Sequence, residues 1–391
     1  PLIRGRLLRH WREARKTMTP VAAWRSIVDD PAKRHSWVSR RGRGCPSGDE
    51  GQRAVQAGVG AATRVAGWRG PRLAATAASI GLLLAAASGA GAQTVVNVAT
   101  VAQLEAAVAS VGSNTTIVIA PGTYALTETL TVSGPVSDVT IKGATGNRAD
   151  VVILGPGLSA PLGPVTDGIR TSGAVTRLTV ADLSLFEFPA SAILFDVGAQ
   201  QPRVRNVHAA DCGADFIQSF AALDTLKGAD GGIVESSLVE YREPTLAPTS
   251  ALGGVRVRGG ADWVIRGNTF RRIWSSTDFD FARPAILANQ ASSGTLVEHN
   301  TIIDCQRGIS LGFQDLAQGS DHAGGIVRNN VIYRSGALEA VGNGGDVAIH
   351  VADSPGTRVS HNTVLQGGNY PNSIEYRFAG ATDVVIKNNL I

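Results

Sequence analysis

Three cysteines in 391 residues are too few to staple a fold, and only Cys212 and Cys305 lie beyond position 92. No Cys/His pair has the spacing of a zinc site, and no glycine-rich phosphate loop follows a strand, so nothing points to zinc, haem or nucleotide chemistry. After residue 92 there is no apolar run long enough to span a bilayer. The last third also lacks helical periodicity, which leaves strands to carry it. The formal charge of +4 is unevenly spread: 20 of the 36 basic and 27 of the 32 acidic residues lie after position 92. The body of the chain is therefore mildly acidic, which argues against a general role on nucleic acid or at a membrane surface.

What the last third does contain is one short pattern, returning. It reads Val264-Ile-Arg-Gly-Asn268-Thr-Phe270, Leu296-Val-Glu-His-Asn300-Thr-Ile302 and Ile326-Val-Arg-Asn-Asn330-Val-Ile332. Two further copies are Arg358-Val-Ser-His-Asn362-Thr-Val364 and Val385-Ile-Lys-Asn-Asn389-Leu-Ile391. The asparagines are 32, 30, 32 and 27 residues apart. A β-branched residue precedes each by three positions and an apolar one follows by two, so short strands flank a polar corner at a near-constant period. That is the signature of one supersecondary unit stacked on itself, here a coil of a β-solenoid. Asparagine suits the corner because it tolerates left-handed backbone angles, and stacked amides can hydrogen-bond along the axis as a ladder. Without asparagine, the pattern extends backwards through Leu183, Val207 and Ser237.

Upstream, Thr100-Val-Ala-Gln103 has the form of a capping box, followed by Leu104, Ala107, Val108 and Val111 at helical spacing. A short helix there would cover the open end of the solenoid. The words Thr116-Ile-Val-Ile-Ala-Pro-Gly-Thr-Tyr124 resemble the first coil of many secreted β-helix proteins, which Val139-Thr-Ile-Lys-Gly143 would close. Together these features resemble the right-handed parallel β-helix superfamily that includes the pectate lyases, over roughly residues 95–391. The expected fold is all-β, a right-handed parallel β-helix with an N-terminal capping α-helix. The resemblance implies a secreted protein acting on polysaccharide, by β-elimination on uronic-acid polymers or by a related glycan-active reaction. The alternative is a non-catalytic glycan-binding or adhesin solenoid, because this superfamily hosts many functions.

The two ends carry their own expectations. Residues 1–68 read as an upstream segment outside the domain, disordered or not native. Arg69-Gly-Pro-Arg72, the small and apolar run 73–87 and Ala90-Gly-Ala92 read as a secretory signal peptide over 69–92, placing the domain at 93–391 in a secreted or periplasmic protein. At the other end, Asn389-Leu-Ile391 stops inside a repeat, as a truncated domain would. A monomer free of membrane after cleavage is expected. Cys212 and Cys305 each lie five residues past a corner slot, three coils apart, about 14 Å at ~4.8 Å per coil. Both should be free, buried thiols.

Inward positions are spent on the core, so chemistry must use outward faces and longer turns. In Gly253-Gly-Val-Arg-Val-Arg258, Val347-Ala-Ile-His-Val351 and Ser373-Ile-Glu-Tyr-Arg-Phe378, apolar residues alternate with Arg256, Arg258, His350, Glu375 and Arg377. Arg256, His350 and Arg377 each stand twelve residues before a corner asparagine, which predicts one outward column, with Ala288 and Ser310 between. By resemblance this strand's sheet forms the floor of the polysaccharide groove. For β-elimination, Arg377 or Arg256 would neutralise the uronate carboxylate, His350 would take the C5 proton, and Glu375 with Asp346 could hold a calcium ion; the alternative is that Glu375 and Arg377 form a surface cross-strand pair and His350 is an exposed solenoid histidine. The loop Trp274-Ser-Ser-Thr-Asp278-Phe-Asp280-Phe-Ala-Arg283 is expected beside the groove, either with Trp274 stacking on sugar and Asp278, Asp280, Arg283 and Arg258 binding hydroxyls or carboxylates, or with Trp274, Phe279 and Phe281 folding the loop onto the barrel and the acids facing water. Asp278 and Asp280 could equally form a hydrolytic carboxylate pair. The long turn 314–325, carrying Asp321 and His322, reads as a flexible loop first and a groove wall second.

Overall fold

The computed structural model describes residues 93–222, 224–243, 253–274, 283–316, 319–335, 345–367 and 370–391. The segment 1–92, including the expected signal peptide, lies outside them, as do Asp278 and Asp280. Eighteen strands form one sheet that folds over at the asparagine corner, and nine more form a second sheet that closes each coil. The pairing is parallel throughout both sheets, so the chain is a parallel β-helix with three faces. No helix among the described residues is long and apolar enough to cross a membrane.

Local sequence explains each coil. Before the corner, Val234, Ile265, Val297, Val327, Val359 and Ile386 stand in register on successive strands. After it, Val239, Phe270, Ile302, Ile332 and Val364 do the same. Except for Ile386, all of these are buried. Each fully buried side chain of this kind contributes roughly 1.5–3 kcal/mol, and stacking makes the core continuous from coil to coil.

The corner itself corrects the sequence reading. The left-handed residue is not the asparagine but the one before it: Gly267, His299, Asn329, His361 and Asn388 have φ between 54° and 62°. The asparagines take the next position, where their side chains turn inward and Asn268, Asn300, Asn330 and Asn362 are about 1% exposed. There they bond in series. Each amide oxygen from Asn300 to Asn389 accepts from the backbone N–H and side-chain Nδ2 of the asparagine one coil earlier, at 2.9–3.1 Å. Each Nδ2 also donates to a carbonyl of the preceding coil, such as Ile265 at 2.8 Å for Asn300.

At the N-terminal end a helix spans Val101–Ala109, and Leu104 and Val108 are buried beneath it. Thr100 Oγ1 accepts from Gln103 N at 3.2 Å, while Gln103 Oε1 reaches back to Ala99 N at 2.9 Å. Cys212 and Cys305 are free and buried. The turn 314–325 departs from a flexible loop where it is described. Asp321 Oδ1 accepts from Gln290 N at 2.6 Å, and its Oδ2 accepts from Phe313 N and Gln314 N at 2.6 and 2.9 Å. Asp353 Oδ2 holds Leu316 N and Asp321 N from the next coil. His322 is fully buried between the hydroxyls of Ser354 and Thr295.

Candidate functional site

The nine-stranded sheet runs from Leu130–Ser133 through Ile169–Ser172, Ile193–Phe195, Ile217–Ser219, Val255–Arg258, Ile286–Asn289, Ile309–Leu311 and Val347–Ala352 to Asn372–Arg377. Its outward positions fall into a column whose later members are Gln218, Arg256, Leu287, Ser310, His350 and Glu375. The partner of His350 is therefore Glu375, and Arg377 pairs with Ala352 one outward position further along. Leu287, not Ala288, pairs with Arg256. Counting back from the corner fails because the turns differ in length: Glu375 stands fourteen residues before Asn389, but His350 only twelve before Asn362.

Outward does not mean exposed. Arg256 and His350 are only 6% and 5% exposed, and Ser310 is fully buried. His350 Nδ1 lies 3.1 Å from Ser310 Oγ, and that hydroxyl donates to Gly312 O. The imidazole must therefore carry its proton on Nδ1 and leave Nε2 as a bare acceptor; Nε2 has no hydrogen-bond partner. Burial first, then the charge of Arg377, lowers the His350 pKa to about 4, so the ring is neutral at pH 7. Phe313 meets the ring edge-on at 6.3 Å and carries the Arg307 guanidinium on its other contact, 5.5 Å from its centroid.

The proposed calcium ligands do not suit a cation as placed. Arg307 pairs with Asp346 and Arg377 with Glu375, each at 2.5 Å. Among the described residues no cluster of three acidic, histidine or cysteine side chains could hold a metal. The two carboxylates are already neutralised by arginines.

A second cluster lies three strands away along the same sheet, and sequence reading missed its centre. Asp215 is 1% exposed. Its Oδ2 lies 2.7 Å from Arg283 Nη1, 3.6 Å from Arg256 Nη1 and 3.9 Å from Arg258 Nη2. Burial raises the Asp215 pKa, but Arg283, Arg256 and Arg258 together hold it below the ordinary value. Arg256, by contrast, is held well below the usual arginine range, first by burial and then by Arg283 and Arg258. The Arg258 guanidinium rests 4.5 Å above the half-buried ring of Phe220. Arg256, Arg258 and Arg283 are thus brought together, but as a buried charge cluster and not as an open groove floor.

Of the two readings for Trp274, the structure takes the packed one and not the sugar-stacking one. Trp274 is 2% exposed and belongs to the core beside Ile273, so it presents no face to a sugar. Arg272, two residues before it, has a left-handed φ of 55°. The half-buried aromatics near the charged groups are instead Phe220 and Phe313, each just past the end of a strand of this sheet. The signal for Asp215 was an acid two residues ahead of a sheet strand, a position that the alternation of the strand does not cover.

Comparison with known proteins bears on the fold. Residues 253–391 match the family model described as a right handed beta helix region. The chain resembles the crystal structure of an alginate lyase from Paenibacillus sp. str. FPU-7, at 16% identity and a TM-score of 0.54, over 76% of this chain and 95% of that one. A PL6-family polysaccharide lyase from Pseudopedobacter saltans aligns at 15% identity and a TM-score of 0.37, over 69% and 63% of the two chains. A pectin methylesterase from Aspergillus niger aligns at 13% identity and a TM-score of 0.35, over 77% and 86%. No curated protein sequence matches. The fold is a right-handed parallel β-helix.

Proposed function

We propose that this chain is an exported protein that binds an acidic polysaccharide along the outer face of its nine-stranded sheet and cleaves it by β-elimination. The observation that carries this reading is His350: a neutral imidazole whose Nε2 is a bare acceptor, with Arg377 and Glu375 on the adjoining strand. In the reaction Nε2 takes the proton from C5 of a uronate while Arg377 neutralises the carboxylate that acidifies that carbon. The C4–O4 bond breaks, a C4=C5 double bond forms, and the imidazolium returns its proton to the departing oxygen. Glu375 holds the Arg377 fork in place. The fold supports a polysaccharide ligand as analogy only, and the basic, apolar and small-residue stretch of 69–92 supports export.

A specific observation favours the non-catalytic reading as runner-up. Nε2 is covered in this structure, and His350 as a whole is 5% exposed. A substrate must displace the side chains over it before any proton can move, whereas a glycan-binding solenoid needs no such access.

The protein is incubated with polygalacturonate, alginate, chondroitin and a neutral glycan, and both ultraviolet absorbance of unsaturated ends and new reducing ends are followed. Absorbance growth on an acidic polymer, abolished in His350→Gln and Arg377→Ala, is the expected result. Reducing ends without absorbance would overturn elimination in favour of hydrolysis. Binding without either product would leave the glycan-binding reading.

A further inference from the structure

The guanidinium cluster around Asp215 has no part in the chemistry at His350, yet among the described residues Arg256 and Arg258 share a single carboxylate. Leaving Arg283 aside, Arg256 and Arg258 already bring two cations to one carboxylate, and Asp215 is the carboxylate among the described residues that reaches them. Burying an uncompensated guanidinium is costly, and a purely structural ion pair would not need a second arginine. The hydrogen-bonding is also incomplete. Arg256 Nη1, Arg258 Nε and Asp215 Oδ1 are all buried and have no hydrogen-bond partner. Among the described residues Arg256 reaches beyond Asp215 only to Asn289 Oδ1, at 3.3 Å. Two forks with idle N–H donors, one of them lying on the Phe220 ring, suit a planar oxyanion next to an apolar face. The side chains of Arg256 and Arg258 keep 7% and 14% of their surface exposed, a narrow opening to solvent.

We propose that Arg256 and Arg258, with Arg283 behind them, form a recognition site for an oxyanion on a sugar of the bound polymer other than the one that reacts. The proposal rests on the reading that the polymer lies along this sheet. Arg256 and His350 share one column three strands apart, about 14 Å at ~4.8 Å per strand, which is further than one sugar ring reaches. The substrate is therefore an oligomer that carries negative charge on units away from the scissile bond. Carboxylate and sulfate ester share this chemistry. Asp215 acts as the internal anion that keeps the forks in position when no substrate is bound, and it competes with the ligand.

The test is calorimetric titration of the protein with three hexasaccharides: an oligouronate, a sulfated chondroitin hexamer and neutral cellohexaose. It is run on the native chain and on Arg258→Gln, Arg258→Lys and Asp215→Asn, with circular dichroism to confirm that each variant is folded. The native protein should bind an acidic hexamer and not the neutral one, and the hexamer preferred identifies carboxylate or sulfate. Arg258→Gln should weaken that binding at least tenfold, Arg258→Lys by less, and Asp215→Asn should tighten it. Unchanged affinity in folded Arg258→Gln, equal binding of the neutral hexamer, or no binding of either acidic hexamer would overturn the proposal. If Asp215→Asn does not fold, the ratio between the Gln and Lys variants decides alone, a ratio near one overturning it. Binding that depends on Arg258 without unsaturated product would retain this site and reject the lyase reading. Unsaturated product with no dependence on Arg258 would do the reverse.

Discussion

Replacing Asn300 by alanine perturbs the stack of amides at its middle, and its cost can be worked from the bonds it removes. Four are lost: Asn300 Nδ2 to Ile265 O and to Asn330 Oδ1, and Asn300 Oδ1 from Asn268 N and from Asn268 Nδ2. Two of the partners keep a substitute, since Asn268 Nδ2 still donates to Val234 O and Asn330 Oδ1 still accepts from Asn300 N. The Ile265 carbonyl and the Asn268 N–H lose their side-chain partner at buried positions. At roughly 1–3 kcal/mol for each buried group left unpaired, the loss is about 4 kcal/mol. The same change at Asn389 removes equivalent bonds to Asn362 and Val359, but at a half-buried end that water can reach, so about 1 kcal/mol is expected. Urea unfolding of both variants against the native chain measures the difference. If Asn300→Ala costs less than 1 kcal/mol, or no more than Asn389→Ala, the stack is a by-product of the corner and not a support of the core.

Three further outcomes are expected. Acid should destabilise the protein as pH falls below 6.5. Burial lowers His322 to about 3 and His350 to about 4, so the stability of their neutral forms is complete above 6.5 and is lost as pH falls towards those values. These displacements are worth roughly 5 and 3 kcal/mol. Asp167, raised by burial to about 6, acts in the opposite sense, stabilising at low pH by roughly 3 kcal/mol; His322→Gln should flatten the fall in melting temperature between pH 6.5 and 4, and an unchanged profile would sink the assignment. The rate of cleavage should keep its full value down to about pH 5, with an acid limb near 4; a limb near 6.5 would mean that the reacting group is a solvated histidine and not His350. Burial pushes both thiols up, that of Cys305 to about 12, so neither Cys212 nor Cys305 should react with a thiol reagent until denaturant is added.

The fold was legible because the repeat is literal. Five asparagines with β-branched residues three positions earlier imply one coil stacked on itself, and the buried columns from Val234 to Val359 follow that count. The site was legible only in part, for three physical reasons. Turn lengths vary between coils, so a count from Asn389 put Arg377 where the hydrogen-bond register puts Glu375. Period-two alternation tells inward from outward but not outward from exposed, and the Arg256 and His350 side chains are covered by what surrounds the sheet. Turn residues obey no period at all, which hid Asp215 and left Trp274 readable either as a sugar-stacking aromatic or as folded onto the barrel, where the structure buries it. The left-handed corner went to Gly267, His299, Asn329, His361 and Asn388 because an asparagine cannot both make the bend outward and bury its amide in the stack.

The most direct measurement is a crystal structure of His350→Gln with an acidic hexasaccharide bound. The oligomer should lie across the strands of the nine-stranded sheet, with one sugar carboxylate at Arg377, its C5 facing position 350, and a second oxyanion at Arg256 and Arg258. An oligomer on the asparagine-corner faces, or one on this sheet whose C5 atoms all lie away from position 350, would contradict the assignment.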